Sequence, residues 1–504
     1  MSSDIEVTEV RRVPSAFTYK RSTKNGVILN FQPSSQVRFE PTNGSGDCRA
    51  GRKLVFKIAD DKRFWLVNET LHKYRLVGLD DDYKEVVSAT ATHRLCQSGT
   101  DAVWKRQSIL INGRIIEDLN DYNLFTVHEN ALTSWETKQH LGQCKYYSSE
   151  DNDRSAVVAT NRAYTVTGSS LSFFQNEVAF PLCLVKGGVT LEMTAETELT
   201  KIFPTSGIIK YFRIEQNELI CQFAELVKEY YDKVLALMQA EDPTPLTIPM
   251  QIVWSQEFAG QDSRVQQLSL VTGEQSSVSS LMLVTTDNLR TDVDKLNYSD
   301  DAGIRTISIQ VGMERFPQGK AIAHGSEKTG VVSTIDPEMY ALSQRNKDFN
   351  DVKFAPTMSD LEGWDLGGKK IKHWSWRQNF KQTPDMIGGG LQTLADGRIL
   401  INVSQYPNPP ETADFAGIPT FKDKTFHVFW TTDHVMSINK DENSSTYRPC
   451  RIKDLERLLV QETGASSLLE KPQQHVSDAT VLEESDAKIL SIERKGIPEY
   501  KPVA

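Results

Sequence analysis

The sequence lacks any run that approaches the roughly 20 consecutive apolar residues a helix needs to cross a membrane. Its first residues, MSSDIEVTEV, contain acids and have no apolar core, so they do not resemble a signal peptide. The six cysteines are isolated, and no pair has the close spacing that is typical of zinc and redox motifs. We therefore expect reduced thiols in a chain that is kept in a reducing compartment.

Basic residues are also in the minority, with 57 Lys and Arg against 67 Asp and Glu and a formal net charge of -10. Nucleic-acid binding needs a basic surface that neutralises phosphates, so we expect no sequence-specific binding of DNA or RNA. The chain has 504 residues, of which 39% are hydrophobic and 25% are charged. These values are typical of a globular protein with two or more domains.

Several motifs of common enzymes and metal sites are missing. The sequence contains no GxSxG, no Walker phosphate loop and none of the His-x-His pairs that cupin metal sites use. His427, Asp433 and His434 are close together in FHVFWTTDH, but His434 has the opposite strand parity from the other two. We interpret these histidines as solvated or capping residues and expect no metal.

Two acidic segments, Glu117-Asp118 and Glu314, adjoin predicted strands. A glycosidase needs two carboxylates that face each other across a cleft, and the sequence does not pair these acids. We expect Glu117 and Asp118 to cap or line the turn that follows them. We therefore assign no catalytic, cofactor-binding or metal-ligating residue, and we expect a protein that is not an enzyme.

Alternation of apolar and polar residues with a period of two recurs along the chain and predicts strands with one buried face. It favours antiparallel sheets packed as sandwiches or barrels, a mostly β fold. The apolar positions are Leu54, Phe56 and Ile58; Val189, Leu191, Met193 and Ala195; Ile307, Ile309, Val311 and Met313; and Ile399, Ile401 and Val403.

One segment has helical spacing. In NELICQFAELVKEYYDKVLALM, apolar residues recur at intervals of three and four from Leu219 to Met238. Asn217 is a candidate N-cap, and Pro243 is a candidate stop. The start of the segment also fits an extended strand. Fresh strand patterning begins in TIPMQIVW, so we place a domain boundary near residue 242.

The stretch WKRQSILINGRIIEDLNDYNL combines a strand pattern, a reversal and a polar turn. Asn112-Gly113 separates two apolar runs, and such a pair is a strong hairpin signal because both residues tolerate positive φ. The segment NDYN then predicts a turn into a loop or short helix. The residues from Thr133 to Ala163, rich in Ser, Asp and Lys, are expected to form the loop that follows.

These segments resemble the double jelly-roll major capsid proteins of Polinton-like viruses, virophages and adintoviruses, and more distantly those of large eukaryotic DNA viruses. The resemblance spans roughly residues 17–439. FPLCLVKGGVTLEMTAE and YFRIEQNELICQFAELVKEYY match the first barrel, whereas ISIQVGMERFPQGKAI and MIGGGLQTLADGRILINV with TFHVFWTTDHVMSI match the second. The matching positions are Trp104, Arg106, Ile109, Ile111, Gly113, Ile116, Glu117, Tyr122, Asn123, Pro181, Leu182, Gly187, Gly188, Gly312, Arg315, Phe316 and Pro317.

The resemblance implies two consecutive eight-stranded jelly-roll barrels with a few short helices. We expect an N-terminal arm at residues 1–16, a first barrel at 17–242 with a helix near its end, a second barrel at 243–450 and a tail at 451–504. The implied function is a major capsid protein whose pseudo-hexagonal homotrimers form an icosahedral shell around a double-stranded DNA genome. Implied partners are neighbouring trimers, penton proteins and minor capsid proteins, in a virion assembled inside the host cell.

The two ends differ from the barrels in composition. RRVPSAFTYKRSTK, from Arg11 to Lys24, has five basic residues and no acid, and the chain after Cys450 loses strand alternation. Termini of this kind are expected on the inner side of a shell, where they bind neighbouring capsomers, minor proteins or an internal membrane.

A tandem β-sandwich protein that binds or modifies carbohydrates is the alternative. Its best support is HWSWRQNF, because tryptophans can stack on sugars. Trp374 and Trp376 share a strand parity, however, which favours packing in a core.

Overall fold

The computed structural model describes residues 21–23, 26–28, 31–43, 48–86, 95–96, 99–131, 163–176, 179–185, 187–204, 207–226, 228, 246–272, 277–288, 296, 302, 304–316, 322–323, 365–366, 369–370, 375–380, 390–393, 397–405, 420–438 and 445–449. All of them belong to one compact unit, Met1–Leu458.

Strands dominate the first part of the chain. They are β1 (Arg21–Thr23), β2 (Gly26–Ile28), β3 (Phe31–Phe39), β4 (Cys48–Arg49), β5 (Lys53–Ile58), β6 (Phe64–Leu79), β7 (Trp104–Ile111), β8 (Arg114–Asn120), β9 (Ala163–Thr167), β10 (Ala179–Phe180), β11 (Val189–Ala195) and β12 (Tyr211–Leu226). Between them lie helices α1 (Tyr122–Ala131), α2 (Ser172–Gln175) and α3 (Leu199–Ile202), and 3-10 turns at Gly99–Val103 and Leu182–Leu184.

The second part of the described chain is also built from strands. They are β13 (Leu246–Ala259), β14 (Val265–Val271), β15 (Ser277–Asp287), β16 (Ile304–Val311), β17 (Glu314–Phe316), β18 (Ile322–Ala323), β19 (Asp365–Leu366), β20 (Lys369–Lys370), β21 (Ser375–Asn379), β22 (Leu391–Gln392), β23 (Arg398–Gln405), β24 (Lys424–Ile438) and β25 (Ser445–Pro449).

The same strand order occurs twice. In the first half the main sheet paths are β3-β12-β6-β10 and β5-β11-β7-β8, and in the second they are β13-β24-β15-β21 and β14-β23-β16-β17. Each half has eight strands on these paths, which can be numbered 1 to 8 in chain order. With this numbering, the two sheets of each half have the strand orders 1-8-3-6 and 2-7-4-5. Strands that are distant in sequence alternate between two sheets, as the Greek keys of a jelly roll require. The predicted mostly β fold with two consecutive jelly rolls is confirmed.

Each barrel has its own hydrophobic core. The predicted alternation holds in β5, β11 and β23, where all the assigned apolar positions are buried; the largest exposure among them is 4%, at Leu54. The first barrel's cluster includes Phe56, Trp65 and Leu191, and the second barrel's cluster includes Ile401 and Trp376. The core interpretation of Trp376 is therefore confirmed, whereas Trp374 lies outside the described residues.

The predicted hairpin at Asn112-Gly113 is confirmed. Both residues have positive φ, 50° and 76°, and they join β7 to β8 where Ile111 faces Arg114. The second barrel has its equivalent at Gly312-Met313, between β16 and β17. Met313 is fully exposed in this turn, so its assignment to the buried face of the strand is wrong. The alternation ends where the two-residue reversal begins.

As far as Leu226, the alternative extended interpretation of this segment is confirmed and the helix is wrong, because β12 is one strand from Tyr211 to Leu226. A bulge at Gln216, with φ of 54°, shifts the register between Glu215 and Glu218. Buried positions therefore change from even to odd numbers along the strand, and the simple alternation is lost. The rest of the predicted helix and the predicted boundary near residue 242 lie outside the described residues, apart from Lys228.

Other predictions have mixed outcomes. NDYN does lead into a helix, α1, but this helix is buried, with Leu124 and Val127 in the first core. The expected loop from Thr133 to Ala163 lies outside the described residues, except that Ala163 begins β9. Four of the cysteines (Cys48, Cys96, Cys183 and Cys221) are free thiols. In the described part of the chain, every helix is too short or too polar to span a bilayer.

The opposite faces of β11 give a direct test of the strand assignment. Leu191 is 1% exposed, whereas Glu192 points outward and forms an ion pair with Lys53 at 2.8 Å. We expect Leu191→Ala to lower the free energy of unfolding by about 2–5 kcal/mol through lost burial and a cavity. Glu192→Ala should cost about 0.5 kcal/mol or less. Denaturant titration of both variants measures the difference, and equal losses would contradict the assignment.

Candidate functional site at the junction of the two barrels

The barrels share one sheet. The outer edge of β8, in the first barrel, pairs in parallel with β13, the first strand of the second barrel, where Asp118 lies opposite Trp254. The Ser255 hydroxyl accepts the Asn120 backbone N–H at 3.0 Å, which extends the contact. Four main strands from each barrel thus form one continuous sheet, the ten-stranded one with two short additions. We call this contact the junction.

The junction also has apolar packing on the side of the first barrel. In β15, Leu281 and Leu283 point into the second core, whereas Met282 and Val284 join the first. Phe429 of β24 contacts Phe125 of α1, with ring centroids 5.2 Å apart. The middle of the shared sheet is therefore buried on both faces, unlike the half-buried outer sheets.

Glu117 of β8 lies at the centre of the junction with no exposed surface. One carboxylate oxygen accepts the backbone N–H groups of Ser172 and Val253 at 2.9 and 3.0 Å, and the other accepts that of Phe173 at 2.9 Å. Val253 belongs to β13, so one side chain of the first barrel bonds the backbone of the second. The expectation that Glu117 lines the following turn is wrong, because its carboxylate binds the backbone of α2 and β13 instead.

Two features of the surroundings of Glu117 have opposite effects on the pKa of its carboxyl group. Burial raises the pKa of its carboxyl to about 7, although the backbone amides of Phe173, Val253 and Ser172 act to lower it. Desolvation penalises the charged form, and the three N–H donors stabilise it. The group therefore titrates near neutral pH inside the junction.

The other acids considered in the sequence take different positions. Asp118 lies on the outer face of β8 and binds the Arg106 guanidinium at 2.7 and 2.5 Å. Glu314 lies in β17, in a different sheet from Glu117. Glu117 and Glu314 are thus not the facing pair that a carbohydrate-cleaving alternative needs.

FHVFWTTDH does not form one cluster. Asp433 is fully buried and accepts hydrogen bonds from Ser277 at 2.9 Å and Gln251 at 3.1 Å. The His434 ring contacts the Thr432 hydroxyl at 2.6 Å, and burial lowers the pKa of His434 to about 4, which keeps the ring neutral. His427 lies toward the other end of β24, in a cleft at the junction.

The cleft has a volume of about 280 Å³ and both barrels line it. Lys105, Asp121 and Lys201 come from the first barrel, and Glu257 and His427 come from the second. Sequence reasoning missed this grouping as well as the role of Glu117. The only advance signal for Glu117 was its place in the motif that resembles capsid proteins.

Glu117 predicts a dependence of stability on pH. Because its pKa is raised in the folded chain, the folded state binds the proton more tightly than the unfolded state between about pH 4.5 and 7. The resulting stabilisation of the folded chain is fully present below this pH window and is lost as pH rises through it. In Glu117→Gln this loss, on the order of 3 kcal/mol, should disappear.

Relative to the wild type, the same variant should be more stable at pH 8 than at pH 5, because only the wild type carries the cost of the buried charge at high pH. Thermal melts from pH 5 to 8 measure this difference, with Glu192→Gln as the control on an outward-facing glutamate. Parallel pH profiles for the wild type and Glu117→Gln would refute this role.

No family model and no curated protein matches the chain. Solved structures do resemble it. The capsid protein in a model of the PBCV-1 virus capsid is 10% identical, with a TM-score of 0.53 over 85% of this chain and 98% of that one. PBCV-1 VP54, as fitted into a reconstruction of the virophage Sputnik, is 10% identical, with a TM-score of 0.50 over 86% and 98%.

The Faustovirus major capsid protein is 7% identical, with a TM-score of 0.52 over 80% of this chain and 90% of that one. These similarities span 90% or more of each neighbour and 80% or more of this chain. Together with the repeated strand order, they identify the fold of this chain as the double jelly roll of viral major capsid proteins.

Proposed function

We propose that the chain is a major capsid protein that assembles as homotrimers into an icosahedral shell. The observation that carries this proposal is the junction, which fixes two similar barrels side by side within one chain. Three such chains supply six barrels around one axis, and the resulting pseudo-hexagonal outline tiles a flat facet. The fold shared with capsid proteins of PBCV-1 and Faustovirus supports the same function.

The charge of the chain fits an enclosing role. A formal net charge of -10 suits a shell around a double-stranded DNA genome better than a protein that condenses DNA. In this proposal the chain acts by assembly and not by catalysis. It resides in the virion capsid, after assembly inside the host cell, and contacts neighbouring trimers, penton proteins and minor capsid proteins.

Exposed apolar side chains are present on both barrels. Tyr83 and Tyr211 stack with ring centroids 4.6 Å apart and are 56% and 43% exposed. In the second barrel, Val265 and Val271 lie on the outward face of β14 and are 63% and 64% exposed. Side chains of this kind are stabilised when another subunit covers them. We expect the trimer interfaces to be of the obligate type, about 2,000 Å² or more.

The domain organisation is part of the proposal. The first barrel is assigned to residues 17–242 and the second to residues 243–450, with an arm at 1–16 and a tail at 451–504. The described strands of the barrels, β3 to β12 and β13 to β24, fall within these limits. The arm and the tail lie outside the described residues.

The oligomeric state tests this function. We expect a stable particle of three times 56.8 kDa, because two barrels per chain close a pseudo-hexagon only as a trimer. Light scattering coupled to size exclusion measures the mass, and electron microscopy shows the outline. A monomer at all concentrations would contradict the proposal.

The two ends provide a second test. We expect deletion of residues 1–16 or 451–504 to leave trimers intact and to impair closed-shell formation, because surplus termini inside a shell bind neighbouring components. Limited proteolysis compares free trimers with assembled particles. Cleavage of both ends at the same rate in the two samples would place them outside the shell and remove the assembly role.

A further inference from the structure

Three potential metal ligands come from adjacent strands of the shared sheet. Glu257 of β13 lies directly opposite His427 of β24 in the antiparallel register. Asp121 follows β8, which runs parallel to β13 with Asp118 opposite Trp254. Three residues farther along both strands, Asp121 reaches the level of Glu257. The pairing of the barrels therefore brings two carboxylates and one imidazole into one row.

The donor atoms of this row are close together. One ligand atom from each of Asp121, Glu257 and His427 lies within 4.8 Å of the other two. Nδ1 of His427 is 3.3 Å from Oδ2 of Asp121. The Asp121 and His427 side chains are 17% and 12% exposed, so their positions are largely fixed. Glu257 is exposed and can rotate toward a common ion.

The hydrogen bonding of His427 leaves Nδ1 able to bind a metal ion. Its Nε2 is 3.0 Å from the Thr286 hydroxyl, which can accept the Nε2–H. Nδ1 is buried and faces the Asp121 carboxylate at 3.3 Å. With the proton on Nδ1, this contact is a hydrogen bond to Asp121; with the proton on Nε2, the Nδ1 lone pair is available to bind a cation between the two side chains. Metal-bound histidines usually donate the N–H of the far ring nitrogen to an oxygen acceptor, a role that the Thr286 hydroxyl can fill.

We propose that Asp121, Glu257 and His427 bind a divalent transition-metal ion, Zn²⁺ or Mn²⁺, which fastens the two barrels to each other. One imidazole with two carboxylates suits these ions better than Mg²⁺ or Ca²⁺, which prefer oxygen ligands alone. Three protein ligands leave positions for water, and the cleft of about 280 Å³ supplies the space. This site replaces the expectation that the chain binds no metal.

The remaining charges in the cleft are compatible with a cation. Lys201 lines the cleft, but its ammonium group contacts Glu196 at 3.5 Å and Glu198 at 3.8 Å. Asp287 forms an ion pair with Lys424 at 3.0 Å. Lys105 also lines the cleft and adds one positive charge. The two carboxylates of Asp121 and Glu257 give the row a negative charge that a divalent ion balances.

Metal binding by the full-length chain tests the proposal. After dialysis against EDTA and then against a metal-free buffer, titration calorimetry with Zn²⁺ and with Mn²⁺ measures stoichiometry and affinity, with Mg²⁺ and Ca²⁺ as comparison ions. We expect one Zn²⁺ or Mn²⁺ per chain and a higher melting temperature when that ion is bound. Glu257→Gln changes an exposed side chain, so the variant should fold normally and lose most of this affinity.

Two further variants separate binding from general stability. Thr286→Val should weaken Zn²⁺ binding on the order of tenfold to a hundredfold, because the imidazole loses its orienting partner, with little change in the melting temperature without metal. Glu192→Gln, far along the sheet in β11, should bind Zn²⁺ as the wild type does. Failure of both Zn²⁺ and Mn²⁺ to bind, unchanged affinity in Glu257→Gln, or equal affinity for Ca²⁺ would overturn the proposal. These outcomes are independent of whether the chain forms trimers.

Discussion

The pairing of β8 with β13 is the contact on which the rest of the molecule depends. It continues one sheet through both barrels and leaves the middle of that sheet buried on both faces. Burying a polar side chain in such a sheet costs free energy unless the side chain finds hydrogen-bond partners inside the protein. Glu117 meets that requirement by accepting three backbone N–H groups, one of them from the second barrel. The orientation of the two barrels is thus set by backbone pairing, apolar packing and one buried carboxylate.

Much of the fold could be predicted from local patterns. Strands with one wet face, such as β11 and β23, show their alternation directly, and Asn112-Gly113 fixes a hairpin by its own chemistry. The helix assigned after Asn217 was wrong because a bulge in β12 changes the parity of buried residues, and the resulting spacing imitates a helix. The run Leu281–Val284, apolar at four successive positions, was a readable sign of a strand buried on both faces.

The site was much less accessible to sequence reasoning. Strand parity compares residues within one strand, so it could separate His434 from His427 but could not relate His427 to Asp121 or Glu257. Those residues meet through the register of three strands that are far apart in the chain. Glu117 was missed for a related reason, since its partners Ser172, Phe173 and Val253 are distant in sequence. The register between strands depends on the whole fold, so the pattern of residues within a single strand does not predict it.

The shared sheet has a consequence for the order in which the chain folds. The last described strand of the first barrel, β12, ends at Leu226 and β13 begins at Leu246, so a growing chain can pair the strands of one barrel while β8 still has an open edge. An open strand edge accepts any suitable strand, including the β13 of another copy, and such an exchange would produce swapped barrels. The chain's own β13 is tethered nearby at high effective concentration, which favours the correct pairing. The pairing at the junction therefore decides whether a nascent subunit folds as a separate chain or exchanges a barrel with a neighbouring copy.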